Sequence, residues 1–161
     1  MDPIAKPLGQ IIGVVSDTHG LMRPEAIAAL RQTNLIIHAG DIGSPDILEQ
    51  LRELAPVVAI RGNNDRAPWA MDLAETEVVQ VNDALVYVLH DIQELDLDPH
   101  EAGFCAVISG HTHKPSIEYR GDILYLNPGS IGPRRFTLPI TFACLHVEGQ
   151  TCSAKIVELS A

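Results

Sequence analysis

The side chains able to hold a metal ion stand where apolar runs stop. Asp17 and His19 end IIGVVSDTHG, Asp41 ends LIIHAGDIG, Asn63 lies in RGNND, His90 follows ALVYVL, and His111 and His113 close AVISGHTHKP. Imidazole and carboxylate together suit divalent manganese, zinc, iron or nickel, and the missing thiolates argue against iron–sulfur or Cys-rich zinc centres. Seven such ligands are too many for one tetrahedral ion and suit two ions sharing a carboxylate. Asp41 is the expected bridge. Ions about 3.5 to 4 Å apart lower the pKa of a bridging water and draw charge from a phosphoryl group under attack. That chemistry needs no Ser or Cys nucleophile, and the chain carries neither G-x-S-x-G nor GxxxxGK[ST].

Singly, each residue has an ordinary alternative. Asp17 could cap a turn, His19 could be a solvated surface group, and Asn63 could serve a turn through its tolerance of unusual dihedrals. His111 and His113 alternate, so an extended segment would point both to one side. The shared position at strand ends favours the metal reading.

Positioning these tips requires parallel strands. The run entered at Gln10 and ending abruptly at Asp17 reads as a buried strand, and Pro24 begins a helix with Ile27, Ala28 and Leu30 as its apolar positions. A second strand leads to Asp41. A second helix is predicted over Pro45 to Leu54, with Ser44 as N-cap and Ile47, Leu48 and Leu51 inward. Val57 to Ile60 forms a third strand. Such repeated units imply right-handed crossovers and a ligand site beyond the strands' carboxyl ends. Glu77 to Val81 and Leu85 to Leu89 read as a hairpin turning through Asn82 and Asp83, followed by a short helix over Pro99 to Ala102. Strands dominate from Ile117 onward. The expectation is an α/β fold with a mixed sheet packed on a second, more antiparallel one, helices outside, in a single domain over residues 10–161 behind a tail of residues 1–9.

Composition narrows the functional classes. A formal charge of -10 repels phosphate backbones, and 4% aromatic residues leave little for base stacking, so stable bulk nucleic-acid binding is not expected. No apolar run is long enough to span a bilayer and the N-terminus lacks a basic, apolar leader pattern, so a membrane role is not expected and a cytoplasmic location is. Cys105, Cys144 and Cys152 sit in apolar surroundings and read as buried, inert thiols.

SDTHG, HAGDIG, RGNND, the isolated His90, SGHTHKP and LNPGSIGPRR occur in an order that resembles the calcineurin-like metallophosphoesterase superfamily, particularly its small bacterial and archaeal phosphodiesterases. The resemblance spans nearly the whole chain from Ile11. It implies a four-layer αββα sandwich and a dinuclear-metal-dependent phosphoesterase, with manganese the favoured metal and phosphodiesters hydrolysed through a metal-bridging hydroxide. A phosphomonoesterase of the same mechanism and a non-catalytic interaction scaffold are the alternatives. By this likeness Asp17, His19, Asp41 and His113 hold one ion, and Asp41, Asn63, His90 and His111 the other. The partner implied is a small phosphoester, and a homo-oligomer is compatible.

Two departures bear on mechanism. Many superfamily members place a catalytic histidine directly after the metal-binding Asn; here that residue is Asn64. Asp65 is then a candidate for orienting water or ligands and His19 for assisting proton transfer, while Asn64, Arg134 and Arg135 are candidate substrate contacts. Asp91 stands where relatives often have glycine, and is either an acid beyond the ligands or a solvated turn residue.

Overall fold

The computed structural model describes residues 10–160, so the expected tail of residues 1–9 lies outside them. The opening run forms β1 (Gln10–Val15). It is followed by α1 (Pro24–Leu30), β2 (Leu35–His38), α2 (Pro45–Arg52) and β3 (Val57–Ala59). Strands β1, β2 and β3 pair in parallel, as repeated strand–helix units demand. The chain then makes a short 3₁₀ turn (Pro68–Asp72) that the sequence did not signal, and the hairpin β4 (Thr76–Val81) and β5 (Ala84–Leu89). Asn82 takes a φ of 55° in its turn, a conformation Asn tolerates better than most residues.

Beyond the hairpin come a 3₁₀ turn (Ile92–Glu94), α3 (Pro99–Ala102), β6 (Ala106–Ile108), β7 (Ser116–Arg120), β8 (Ile123–Asn127), β9 (Thr141–Glu148) and β10 (Thr151–Glu158). One sheet has the order β10-β9-β1-β2-β3 and the other β4-β5-β6-β8-β7. Each contains two parallel and two antiparallel pairings. The second sheet is therefore not the more antiparallel of the two. β6 enters it between β5 and β8 and runs parallel to both, which brings the SGHTHKP turn to the same end as His90.

Alternation along the strands divides the core. Ile12, Val14 and Ile37 face the other sheet, where Val86, Val88, Ile108, Leu124 and Leu126 meet them. Val15 and Ile36 turn the other way, onto Ala26, Leu30, Ile47, Leu48 and Leu51 of the helices. Helix α2 buries the three residues expected of it, whereas α1 buries Ala26 and Leu30 and leaves Ala28 outward. The outer face of the second sheet, with Tyr87, Phe104 and Val107, is covered by Ile92, Leu95 and Leu97. The architecture is an α/β fold of two mixed sheets flanked by helices, thin on this last face.

Local chemistry departs from expectation at two places. Ser44 precedes α2 in an extended conformation, but its side chain makes no cap bond. Asp98 does cap α3, accepting from His100 N and Glu101 N. Cys105 and Cys152 are joined in a disulfide between the two sheets, correcting the reading of inert thiols; Cys144 is the free cysteine. Their Cα atoms are 5.9 Å apart across the intersheet core, a proximity that three unpatterned cysteines do not reveal. The pairing removes the thiol-based reason for a reducing compartment. Among the described residues no helix is long and apolar enough to cross a membrane.

Ile37 is fully buried between the sheets. Ile37→Ala is expected to lower unfolding free energy by about 2 to 5 kcal/mol through lost burial and a residual cavity, measured by denaturant titration.

Candidate metal centre

Strand pairing carries straight on into the site. Beyond the Val15 and His38 register pair, Asp17 N donates to Gly40 O at 3.0 Å, His19 N to Asp41 O at 3.0 Å and Gly20 N to Ile42 O at 2.8 Å. The tips of β1 and β2 therefore run side by side. Gly110 N donates to His90 O and Ile131 N to Ser16 O, tying in the turn after β6 and the loop after β8.

The backbone at these tips is unusual. Asp17, His19, Asp41, His111 and His113 all have φ between 45° and 75°. Non-glycine residues seldom take this left-handed conformation, and its concentration on five candidate ligands marks strain held by the surrounding structure. Two glycines make the convergence possible. A Cβ on Gly62 would strike the Asp41 carboxylate and backbone, and one on Gly110 would strike Ser16 Oγ and Asp17 Oδ2.

Two groups of donor atoms result. Asp17, His19 and His113 form one, and Asp17, Asp41 and His90 the other. Asp17 Oδ1 is approached by His113 Nε2 at 3.5 Å, His19 Nε2 at 3.7 Å and His90 Nε2 at 3.8 Å, yet accepts no hydrogen bond. Asp41 Oδ2 lies 3.3 Å from His90 Nε2 and 3.7 Å from His19 Nε2, so it faces a histidine of each group. His19 Nε2 and His113 Nε2 approach to 3.4 Å. Asn63 and His111 stand at the outer edge, with His111 Nδ1 3.2 Å from Asn63 Oδ1 and its ring edge-on to His90 at 5.2 Å between centroids. All seven expected ligands thus collect in one place.

The donor set fits two divalent cations. Asp17 and Asp41 are 0% and 3% exposed, and buried carboxylates need a compensating charge. Asp17 Oδ1 and His90 Nε2 are buried without hydrogen-bond partners. His90 Nδ1 is 2.7 Å from Ala39 O; a carbonyl only accepts, so Nδ1 carries the proton and Nε2 of the neutral ring offers a lone pair to a metal. Without a cation, burial lowers the His90 pKa but pairing with Asp41 outweighs it and holds the ring at about 9. Burial likewise raises Asp41, and the His90 and Asn64 contacts more than reverse it, to about 2.

Several side chains brace the ligands. Asn64 donates from its backbone N to Asp41 Oδ1 and from its amide to Asp41 Oδ2, at 2.9 and 3.0 Å. Asp65 is buried, and its carboxylate accepts from Ile42 N, Gly43 N and Gly62 N. It joins the Asp41 turn to the Gly62 turn. Arg134 donates to Leu138 O within its own exposed loop, and Arg135 is close enough for its charge to add to the lowering of the His113 pKa that burial begins.

Three further residues brace the site through bonds that the sequence did not specify. Asn127 donates to Gly110 O and Thr112 Oγ1 and accepts from Gly129 N, clamping the turn that bears His111 and His113. Ser130 Oγ donates to Asp17 O. Fully buried His38 accepts from Gly40 N at Nδ1, so its Nε2 proton goes to Thr18 Oγ1, whose own hydrogen goes to Ile42 O. A histidine three residues before Asp41 was the available signal for this last relay, although its partners are set only by the fold.

A cleft of about 740 Å³ opens beside Asn63, His90 and His111 and is lined also by Arg66, Met71 and Asp91. It offers room for a group attached to a phosphorus at the site.

Residues 11–150 match the calcineurin-like phosphoesterase superfamily domain, and the chain belongs to that superfamily. It is 38% identical over 163 residues to a probable metallophosphoesterase of Methanothermobacter thermautotrophicus, covering 94% of each chain. A solved structure described as a novel archaeal phosphodiesterase aligns with a TM-score of 0.74 at 26% identity, over 91% of this chain and 99% of that one. Vps29 from Chaetomium thermophilum aligns with a TM-score of 0.76 over 92% of this chain and 97% of its own; at 15% identity that likeness is one of fold alone.

Two pH effects follow. Burial lowers the His38 pKa from 6.5 to about 4 against the opposing charges of Asp17 and Asp65. From about pH 6.5 down to 4 the unfolded chain binds a proton there that the folded chain does not, so stability falls as pH falls through that window, by at most about 1.4 kcal/mol per pH unit. Denaturant melts of His38→Gln are expected to show a flatter acid slope. His90 instead keeps its proton up to about pH 9 in the metal-free chain, so metal uptake must displace it. Calorimetry of zinc binding in buffers of different ionisation enthalpy is expected to show proton release at pH 7.5 and an apparent affinity that rises toward pH 9.

Proposed function

We propose that the chain is a dinuclear-metal-dependent phosphoesterase that prefers phosphodiesters. The observation that carries this reading is the pair of buried carboxylates, Asp17 and Asp41, facing histidines from three different turns while Asp17 Oδ1 has no hydrogen bond. Asp17, His19, Asp41 and His113 would hold one ion, and Asp41, Asn63, His90 and His111 the other. The mixed imidazole and carboxylate donors favour manganese, with zinc, iron and nickel as alternatives. Such ions, when bound, supply Lewis acidity toward the phosphoryl group and an activated water.

The chain's own residues then have distinct tasks. Asn64 holds both oxygens of Asp41 and acts on carboxylate orientation rather than on substrate. Asp65 spends its acceptors on three backbone amides, so its role is that of a positioning residue, in keeping with the ligand-orienting role expected of it. His19, on the partly exposed side of the cluster, is the side chain placed to move a proton near the reacting phosphorus. Arg135 brings its charge near His113, where it would attract a phosphate oxygen. The open cleft beside Asn63 and His111 leaves space for a second ester group. That favours diesters, as does the likeness to an archaeal phosphodiesterase.

The purified chain, loaded with manganese, is expected to hydrolyse bis(p-nitrophenyl) phosphate faster than p-nitrophenyl phosphate, and to lose activity to a chelator and regain it with metal. His113→Ala is expected to lower kcat/KM by more than about a hundredfold, because changes merely adjacent to metal ligands already cost 10- to 100-fold. Hydrolysis undiminished after removal of all bound metal would overturn the reading, and a faster monoester reaction would overturn the preference.

A further inference from the structure

The two arginines that line the cleft are engaged in different ways. Arg61 donates from Nη1 to Leu73 O at 2.6 Å and from Nη2 to Glu75 Oε2 at 2.8 Å, so a carboxylate already answers its charge. Arg66 is exposed and has no carboxylate partner among the described residues. Its Nε donates to Asn63 O at 3.0 Å and its backbone N to Asn64 O at 3.1 Å. A guanidinium held at Nε keeps both Nη groups free, side by side in one plane. The backbone beneath is fixed as well: Asp65, just before, is clamped by three amides, and Pro68, two residues on, opens a 3₁₀ turn.

The rest of the cleft is hostile to an anion. Asp91, Glu94 and Asp96 line it from the 3₁₀ turn over Ile92–Glu94 and the residues beside that turn, and a formal charge of -10 gives no attraction from further away. A phosphodiester brings one negative charge, so the offset has to be local. Arg66 is the lining cation without a carboxylate partner, and it stands on the backbone of Asn63.

We infer that Arg66 is a substrate-binding residue: its Nη groups take an anionic oxygen of the phosphodiester while its Nε stays on Asn63 O. This rests on the phosphoesterase reading of the site. A planar guanidinium fork on phosphate oxygens is charge-assisted and directional, so it acts on substrate affinity. Two substitutions separate that task from bracing Asn63. Glutamine carries its amide nitrogen as many bonds from Cα as the arginine Nε, so it keeps a donor for Asn63 O and loses the charge. Lysine keeps the charge and loses the fork.

The test compares the manganese-loaded full chain with its Arg66→Gln, Arg66→Lys and Arg66→Ala variants on bis(p-nitrophenyl) phosphate, with bound metal and inhibition by inorganic phosphate measured on the same preparations. Arg66→Gln is expected to raise KM about 10- to 100-fold, the span of a hydrogen bond to a charged group, and to weaken phosphate inhibition in step, with kcat and bound metal as in wild type. Arg66→Lys is expected to recover part of the lost affinity. Added methylguanidinium is expected to lower the KM of Arg66→Ala and to leave wild type unchanged. A role confined to bracing Asn63 would leave Arg66→Gln with the wild-type KM and phosphate inhibition, and that result would overturn the inference while leaving the phosphoesterase reading intact. A wild type without metal-dependent hydrolysis would overturn both.

Discussion

Two carboxylates are buried at the meeting point of the strand ends, and the structure around them is shaped by the cost of putting them there. Asp17 and Asp41 are almost wholly shielded from water, where an uncompensated charge costs several kcal/mol. Protein groups answer only part of this. Asp17 Oδ2 receives Ser16 Oγ and His111 N, and Asp41 receives two bonds from Asn64. The remaining compensation comes from His90, held protonated by Asp41 when no cation is present. The proton there stands in for a metal's charge, and its displacement couples binding to pH.

Backbone strain is the second cost. Five candidate ligands adopt left-handed φ values in turns only a few residues long, a conformation unfavourable for side chains of their size. The two sheets and their helices hold these turns in place. The intersheet core is packed from Ile12, Val14, Ile37, Val88, Ile108 and Leu126, on strands whose ends lead directly into Asp17, Asp41, His90 and His111. A rigid scaffold with functional turns at its edge divides the work so that packing supplies stability and the turns absorb the distortion.

Much of this was legible in the chain. The apolar runs gave the parallel strands, because burial on both faces leaves a continuous β-branched signature, and the abrupt change to Asp, Asn and His placed the ligands at one end. The periodicity of α2 told which residues it buries. The braces were legible only in part: Asp65 stood out as a candidate for orienting ligands, whereas Asn127 and Ser130 look like ordinary turn residues until the fold brings a distant backbone amide or carbonyl within reach. Nor was the Cys105 to Cys152 pairing, which depends on two sheets meeting. The equal mixture of pairings in the second sheet was hidden for a related reason: β6 is only three residues long, and hairpin-rich flanking sequence says nothing about which edge it joins.

The braces share one physical form, and it bears on whether the site exists before its ions arrive. Asp65 takes amides from two turns, Asn127 and Ser130 bond backbone oxygens of the turns that carry His111 and Asp17, and His38 passes a hydrogen-bond chain from Gly40 through Thr18 to Ile42. None of these bonds requires a cation. They satisfy backbone groups that would otherwise be buried without partners, so breaking them to relax the site carries a cost of its own. Small metal-folded domains depend on the ion for their structure. Here the hydrogen bonds between turns and the apolar core beneath them hold the candidate ligands together independently, and the binding energy of a cation would go into relieving the buried charges of Asp17 and Asp41 rather than into folding the chain.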